Sequence, residues 1–526
     1  MMSRRKAFLI LILGAILIFL IYRPVINSYF LSEDYEWWSY VRGKGILEVL
    51  SYFISPPAGS TGIDRSLIWA EYRPLVGLSF WLNVNFSWMN PTAFHITNLI
   101  IHLGNYLLVV TLAYTFLKKK WPAILAGFLF IIFPFQSEAV AWSDGRCDSL
   151  LTLFYLISFY LFSKSIKSFP KAQSSLSLLF FILALTAKEA AVSLPLALMF
   201  YTVFNQKGNF LQRLKRAIIK TVAFWAVLIF YFIFRGFYVG EINVLNEAST
   251  FNPLFTRVAT LYLIFLIISL VLFITMQKSK NFHTDTDKVK LMLFLAFLIG
   301  IFYLPTIWIP TQERYLYLPS VAVSIFIANL FFIFWDNEVI ARIKFFRVFL
   351  ALTLFFTSIF SVAYLSERVE DWRKASVIAQ SILSDFRAYA KDVPEDSPIY
   401  FFNLPDSNHE SYIFRAYLYD AIYYDSGKSF KNISVPSAVR GLGNSAVIIE
   451  EKNKLILESS DHYVVSMPNF SQDLPFGRHV IEAENYQILW ENDRVLNLTL
   501  KKDYLGKKGV YFFKYEPASN KLVRIQ

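Results

Sequence analysis

Apolar stretches recur from residue 7 to residue 365, and no single soluble core can bury that much hydrocarbon. They fall near 7–22, 96–117, 121–135, 148–163, 174–187, 190–204, 217–235, 257–275, 290–309, 315–335 and 346–365, about eleven in all. Several are shorter than the ~20 residues a bilayer crossing normally takes, which predicts helices that are broken or tucked inside a bundle. The composition agrees: 56% of the 526 residues are hydrophobic, with 53 Phe, 30 Tyr and 12 Trp. The fold class that follows is an α-helical polytopic membrane protein.

Charge orients the spans. Arg4, Arg5 and Lys6 precede Ala7 to Tyr22, and the exit through Tyr22-Arg23-Pro24 has no small-residue cleavage site, which predicts a retained first helix with a cytoplasmic N-terminus. Threading from there places inside the runs Lys118–Lys120, Lys164/Lys167/Lys171, Lys207/Arg213/Lys215/Arg216/Lys220, Lys278/Lys280/Lys288/Lys290 and Arg342/Lys344/Arg347. The net charge of +12 is therefore topological, and the chain has no basic arm interleaved with aromatics of the kind that binds nucleic acid. The sole cysteine, Cys147, excludes an internal disulfide and offers no zinc-site spacing.

The outer side receives a long first loop, about 23–94, then Phe133 to Asp148, Lys188-Glu189, the 236–256 loop and Gln312-Glu313-Arg314. The first loop predicts a short helix near Ile46 to Phe53 and a turn at Ser55-Pro56-Pro57. An odd number of spans puts the C-terminus outside as well. After about residue 366 the spans cease and strand-like runs appear at Ile399 to Leu404, Ala446 to Ile449, His462 to Ser466, Arg494 to Leu500 and Val510 to Tyr515, with helical patterns at 373–391 and 408–424. The organisation expected is a transmembrane domain over 1–365 and an extracytoplasmic α+β domain over 366–526.

Charged residues at the outer ends of apolar spans are the candidates for chemistry. Phe30 to Tyr40, FLSEDYEWWSY, sets Glu33, Asp34 and Glu36 just beyond the first span; a solvated acidic turn accounts for them, and so does a carboxylate poised to take a proton or hold a metal. Arg73, in Tyr72-Arg73-Pro74-Leu75, can snorkel at the interface or pair with a phosphate. His95, Asn98 and His102 share one helical face, a pattern that serves interhelical hydrogen bonding as readily as ligand contact. Glu138, Asp144, Arg146 and Asp148 sit among apolar neighbours, where charge is costly unless paired with each other or with a polar substrate. Lys188-Glu189 interrupts two apolar half-spans, and adjacent helical residues do not face each other, so each needs its own partner. Arg314, flanked by Tyr315 and Tyr317 and preceded by Glu313, suits a lipid phosphate or an interfacial anchor. Asn-x-Ser/Thr sequons begin at Asn85, Asn432, Asn469 and Asn497 and matter only in a glycosylating compartment.

These segments in this order, Glu71-Tyr-Arg-Pro-Leu, Asn90-Pro-Thr-Ala-Phe-His-Ile-Thr-Asn-Leu-Ile-Ile-His, Ser137-Glu-Ala-Val-Ala-Trp, Gly145-Arg-Cys-Asp, Ala187-Lys-Glu and Glu313-Arg-Tyr-Leu-Tyr-Leu-Pro-Ser, resemble the membrane region of tetratricopeptide-repeat transmembrane O-mannosyltransferases, members of the GT-C superfamily. The resemblance runs over residues 1–375, through Asp371-Trp372-Arg373, and the chain has no tetratricopeptide period. It implies a membrane glycosyltransferase that moves a sugar, mannose in the family, from a polyprenyl-phosphate donor to a hydroxyl acceptor on protein, glycan or lipid, at the extracytoplasmic face. The family's acidic pair in the first outer loop is more often Asp-Asp or Asp-Glu; Glu33 and Asp34 stand there in this chain.

The expected mechanism is inverting transfer, with Asp34, assisted by Glu33, as the proton acceptor. Arg314, Lys188 and Arg73 are expected to bind the donor phosphate, and His95, Glu138, Arg146, Asp148, Glu189 and Glu313 to line the substrate site. No metal is obligatory in such a scheme, and a divalent ion is compatible with it. The partners implied are the lipid-linked sugar, the hydroxyl acceptor and membrane lipid; oligomeric state has no signature in the chain. A non-catalytic binder or transporter of lipid-linked sugars in a cell-envelope glycan pathway is the alternative, although transporters commonly carry internal repeats, and none is evident.

Overall fold

The computed structural model describes residues 4–55, 72–87, 90–168, 171–239, 286–307, 312–337, 344–440, 445–451, 453–460, 463–467, 470–472, 479–482, 486–492, 494–501 and 509–525. The expected span at 257–275, the 236–256 loop from residue 240 on, the Pro56-Pro57 turn, Glu71, Lys278, Lys280, Arg342 and the sequon at Asn469 lie outside the described residues.

Helices dominate the first two thirds of the chain. They are α1 (Arg4–Tyr22), α2 (Asp34–Val41), α3 (Ile46–Ser51), α4 (Pro74–Ser87), α5 (Pro91–Leu117), α6 (Lys120–Ile131), α7 (Ser137–Ala141), α8 (Arg146–Ser168), α9 (Lys171–Ala187), α10 (Leu194–Asn205), α11 (Phe210–Val239), α12 (Thr286–Tyr303), α13 (Tyr317–Trp335) and α14 (Lys344–Ala390). Among the described residues six helices are long and apolar enough to cross a bilayer. A seventh is added if α6 and the Pro134–Ala141 segment, bent by 61° from one another, form one broken span. Proline explains the break, because Pro134 opens a 3₁₀ turn and has no N–H with which to continue the helix before it. Three further apolar helices, Ala172–Ala187, Glu189–Asn205 and Lys290–Thr306, are shorter. The reading of about eleven spans counted each of these short helices and the 257–275 stretch as a crossing.

The helices show two kinds of apolar surface. On α1, Phe8, Leu13 and Leu20 are exposed while Ile10, Ile18 and Tyr22 are buried, so one side packs on the bundle and the other suits lipid. The 47-residue α14 extends this division along its length. Phe345, Phe349, Phe356 and Phe360 are exposed near its start, whereas Leu365, Val369, Trp372, Ala379, Ile382 and Phe386 are buried beyond it. At 1.5 Å per residue the helix is roughly 70 Å long, about twice the ~30 Å hydrocarbon layer, so it carries the chain well past the membrane. Residue 366 is therefore not a break in structure: no Gly or Pro occurs between Lys344 and Ala390, and the helix expected at 373–391 is the second half of α14.

Among the described residues the C-terminal region holds three sheets. In the first, β1 (Pro398–Phe402) lies parallel between β4 (Asn432–Ser434) and β13 (Tyr511–Glu516), and β14 (Lys521–Arg524) closes the far edge. A second sheet of order β10-β11-β12-β7-β6 is antiparallel, with strands at His479–Glu482, Tyr486–Asn492, Val495–Leu500, Lys454–Ser459 and Ser445–Glu451. Alternation along β12, where Leu496, Leu498 and Leu500 are buried, gives it a core shared with Tyr400, Phe402 and Phe512. The third sheet, of order β3-β2-β5-β8-β9, is made of the short β3 (Ser411–Tyr412), β2 (Leu404–Asn408), β5 (Ala438–Arg440), β8 (Tyr463–Met467) and β9 (Phe470–Gln472). The helix expected at 408–424 is shorter than its pattern: the chain first makes β3 and a 3₁₀ turn over Arg415–Tyr417, and only then α15 (Leu418–Ser426). One hydrophobic core joins these parts, since Trp142 of the bundle, Trp372 of α14 and Leu418, Ile422 and Phe513 of the C-terminal region belong to the same buried cluster.

Candidate active site

The acidic stretch is shaped by a turn. Ser32 adopts the left-handed conformation with φ 49°, and Asp34 and Leu31 then bond reciprocally: the Asp34 N–H donates to the Leu31 carbonyl at 3.0 Å and the Leu31 N–H donates to Asp34 Oδ2 at 3.0 Å. Helix α2 begins at Asp34 with Glu33 as its N-cap, so both carboxylates stand at the positive end of the helix. Asp34 Oδ1 accepts a third contact from the Asp144 N–H at 2.8 Å. Burial raises the Asp34 pKa well above the ordinary carboxylate range, the neighbouring Asp144 charge adds to this, and the two backbone donors oppose it.

The three acids separate in direction. Asp34, 1% exposed, meets the 143–145 turn, whereas Glu33 accepts from the Ser32 hydroxyl and pairs with Arg415 at 3.1 Å. Glu36 is buried, and desolvation raises its pKa.

Arg314 forms the cationic centre. It lies in a 3₁₀ turn, Glu313–Leu316, at the head of α13, and its Nε stands 3.7 Å from Glu138 Oε1 and 3.7 Å from Asp148 Oδ2 while Nη1 is 3.7 Å from Asp144 Oδ2. Both nitrogens are buried and have no hydrogen-bond partner among the described residues. The Arg314 backbone N–H donates to Glu138 Oε2 at 3.1 Å, and its guanidinium lies 5.0 Å from the Trp142 ring centre. Lys188 donates to Asp148 Oδ2 at 2.6 Å and sits 4.6 Å from the Tyr315 ring centre. Asp144 also accepts from Trp37 Nε1 at 2.6 Å; burial raises its pKa and Arg314 draws it back down. The tight 143–145 turn needs its glycine, because a β-carbon on Gly145 would collide with the Glu138 carbonyl oxygen.

The structure thus gathers Asp34, Glu138, Asp148, Lys188 and Arg314 around the Asp144 turn. Arg73 and Glu189 form a pair at 3.2 Å, and electrostatic coupling links Glu189 to Lys188. Glu313 faces the C-terminal side, accepting from Ser137 at 3.0 Å and pairing with Arg368 at 3.2 Å. Arg368 in turn pairs with Asp371 at 3.0 Å, and Asp371 meets His409 at 3.1 Å.

Arg146 differs from the expectation of a substrate contact. Its Nε donates to Asn98 at 2.8 Å, Nη1 to Asn83 at 2.7 Å and Ser79 at 3.2 Å, and Nη2 to the Phe94 carbonyl at 3.0 Å, with the Phe80 ring beneath it. A fully buried guanidinium engaged on every nitrogen holds α4, α5 and α8 together instead. The His95 face does similar work: His95 Nε2 meets the Ser28 carbonyl at 3.1 Å, Asn98 donates to the Trp142 carbonyl at 2.8 Å, and His102 Nδ1 meets the Tyr317 hydroxyl at 2.7 Å. Among the described residues no three His, Cys, Asp or Glu side chains gather as metal ligands.

Residues that sequence reasoning passed over complete the surround. Trp142 stacks on Trp372 with centroids 5.5 Å apart and planes 13° from parallel, and Tyr412 packs edge-on against both. Arg415 reaches Glu33 from the C-terminal region. Trp37 was visible as an aromatic one helical turn beyond the acids, but nothing in the 411–417 stretch marks it as a neighbour of residue 33.

Comparison with known proteins bears on this arrangement. No protein-family model matches the chain. It is 34% identical over 155 residues to protein O-mannosyl-transferase TMTC1 of Homo sapiens, a match covering 27% of this chain and 18% of that protein. The chain is similar to protein O-mannosyl-transferases. Over 172 residues it is 31% identical to TMTC4 of Homo sapiens, covering 28% of this chain and 23% of that one. The matches therefore span less than a quarter of these relatives' length. Among solved structures, ArnT from Cupriavidus metallidurans bound to undecaprenyl phosphate overlays with a TM-score of 0.44 at 11% identity, covering 82% of this chain and 86% of that one.

Proposed function

We propose that this chain is an integral-membrane glycosyltransferase that transfers a sugar, mannose by analogy with its relatives, from a polyprenyl-phosphate donor to a hydroxyl acceptor. The carrying observation is Arg314: a buried guanidinium two of whose nitrogens have no hydrogen-bond partner among the described residues, with the Asp144 turn between it and the buried Asp34. A cation left short of donors' partners among carboxylates 3.7 Å off is suited to an incoming phosphate oxygen.

In the transfer, the acceptor hydroxyl oxygen bonds to the anomeric carbon as the bond from that carbon to the phosphate oxygen breaks. The hydroxyl proton passes to Asp34 and the electron pair leaves with the polyprenyl phosphate, inverting the anomeric centre. Arg314, with Lys188 and Arg73 behind it, stabilises the departing phosphate. Glu138, Asp148 and Glu189 hold those cations in place, Glu313 holds Arg368 of α14 beside them, and His95 ties α5 to the Ser28 carbonyl. The site and the C-terminal region lie on the extracytoplasmic side, with the N-terminus and Lys118–Lys120 cytoplasmic. No metal is required by this scheme, and chelation of divalent ions should leave turnover unchanged.

One observation favours a second reading, a non-catalytic binder or transporter of lipid-linked sugars: both Asp34 oxygens already accept backbone N–H groups, as a purely structural acid would. Incubating the purified protein with undecaprenyl-phosphate mannose and serine- and threonine-rich peptides separates the two. Release of undecaprenyl phosphate with sugar on the peptide supports the transferase; binding with the sugar retained on the lipid supports the binder.

A further inference from the structure

The contact between the acidic stretch and the C-terminal region is more specific than packing requires. The Ser32 N–H donates to the Ile413 carbonyl at 2.8 Å, and one residue on from Ser32 and two on from Ile413, Glu33 and Arg415 pair at 3.1 Å. Both backbones are unusual there, since Ser32 (φ 49°) and Arg415 (φ 47°) occupy the left-handed region that costs an L-residue conformational energy. Such conformations persist where the surroundings over-determine them, and they concentrate at functional sites. Stability is a weak reason for this one. The Glu33 and Arg415 side chains are 19% and 30% exposed, and ion pairs open to solvent contribute little.

Placement supplies a better reason. Arg415 stacks 4.5 Å over the Tyr412 ring centre, and Tyr412 packs against Trp142, over which Arg314 also lies. The loop from 412 to 415 thus spans from the proposed phosphate cation to the proposed acidic pair. Of that pair Glu33 is the more exposed and Asp34 the deeper.

We infer that Arg415 is a positioning residue for the transfer site, reaching in from the C-terminal region to hold the Glu33 carboxylate toward the side from which the hydroxyl acceptor enters, with Tyr412 as its platform. The inference rests on the transferase reading and adds to it which part of the chain builds the acceptor side. Donor phosphate binding, centred on Arg314, does not involve Arg415 directly.

The test compares wild type, Arg415→Gln and Arg415→Lys, using undecaprenyl phosphate as the binding probe and undecaprenyl-phosphate mannose with a serine- and threonine-rich peptide as substrates. Arg415→Gln should bind undecaprenyl phosphate within about twofold of wild type while kcat/KM for the peptide falls at least about tenfold, and Arg415→Lys should recover part of that loss. A merely structural role would weaken lipid binding and transfer together. If Arg415→Gln fails to fold, the exchanged pair Glu33→Arg with Arg415→Glu keeps the ion pair and moves the carboxylate; it should fold and transfer poorly. Wild-type kinetics in Arg415→Gln, or in the exchanged pair, overturns the inference while leaving the transferase reading intact. A wild-type protein that binds undecaprenyl phosphate yet transfers nothing overturns the transferase reading and this inference with it.

Discussion

Lys188 and Arg314 share a single oxygen: Asp148 Oδ2 accepts from Lys188 at 2.6 Å and stands 3.7 Å from Arg314 Nε. The two cations are therefore not equivalent. Lys188 has its carboxylate at full contact, and an incoming phosphate can engage Arg314 without breaking that pair.

Their substitutions should separate accordingly. Arg314→Gln should weaken undecaprenyl phosphate binding and turnover together, by about tenfold or more, since a charge-assisted hydrogen bond to phosphate contributes roughly 1.5–3 kcal/mol. Lys188→Met should act first on stability, because removing one partner of a buried pair costs about 3–5 kcal/mol. Thermal unfolding in detergent alongside lipid titration distinguishes them. Equal loss of lipid affinity in both variants at unchanged melting temperature would place Lys188 on the phosphate as firmly as Arg314.

Stability and turnover should respond to pH in opposite senses. Asp34 and Asp144 have raised pKa values in the folded protein, chiefly through burial, against about 3.9 for an unperturbed aspartate. Between the unfolded and folded values the native state holds more protons, so the stability these groups contribute is full below the unfolded pKa and is lost as pH rises through the folded one. The proposed transfer needs Asp34 ionised, so kcat/KM should climb with pH over an acidic limb above the ordinary carboxylate range. Melting temperature and kcat/KM measured across the same buffers check both. An acidic limb at the ordinary carboxylate position contradicts the burial argument.

How much of this was legible in the chain follows from what sequence period and charge can encode. The spans around α1, α5, α8, α11 and α13 were visible because lipid demands long uninterrupted apolar runs, and Lys188, Arg314, Asp148 and Glu138 stood out because charge beside such runs needs a reason. Strands β6, β12 and β13 were visible from alternation. What stayed hidden depends on tertiary placement. Arg146 has the same sequence context as Asp148, yet Asn83, Asn98 and Ser79 arrive from other helices to engage it. Glu33 and Arg415 are separated by 382 residues, and no local pattern announces that contact. The continuity of α14 past residue 366 was readable from the lack of Gly and Pro, but the loss of hydrophobicity at that point looked like an end when it marks only the exit from lipid.

Orientation can be tested directly. The basic runs predict Lys120 on the cytoplasmic side, and the proposed site requires the C-terminal sheets on the other. Cysteines introduced at Lys120 and at the exposed Ser519 should label oppositely with an impermeant maleimide in sealed cells, because the native Cys147 is buried and contributes little background. Labelling of Ser519→Cys only after the membrane is opened would invert the topology and remove the site from the outer face.

The acidic pair gives the sharpest separation between chemistry and binding. Asp34→Asn preserves size, and the amide oxygen can still accept from one of the two N–H groups, of Leu31 and Asp144, that the carboxylate serves now. What it removes is the proposed acceptor of the hydroxyl proton. Turnover should therefore fall by about 10²-fold or more, in line with general-base contributions, while undecaprenyl phosphate binding stays near wild type. Glu33→Gln removes the charge that Arg415 holds but leaves Asp34 in place, so its loss should be smaller and should match that of Arg415→Gln, the two acting through one contact. Donor affinity and single-turnover rates for the three variants and for the Glu33→Gln/Arg415→Gln double variant decide the matter. Near-normal turnover in Asp34→Asn would transfer the role of base to another group or leave the protein as a binder, and additive losses in the double variant would show that Glu33 and Arg415 act apart.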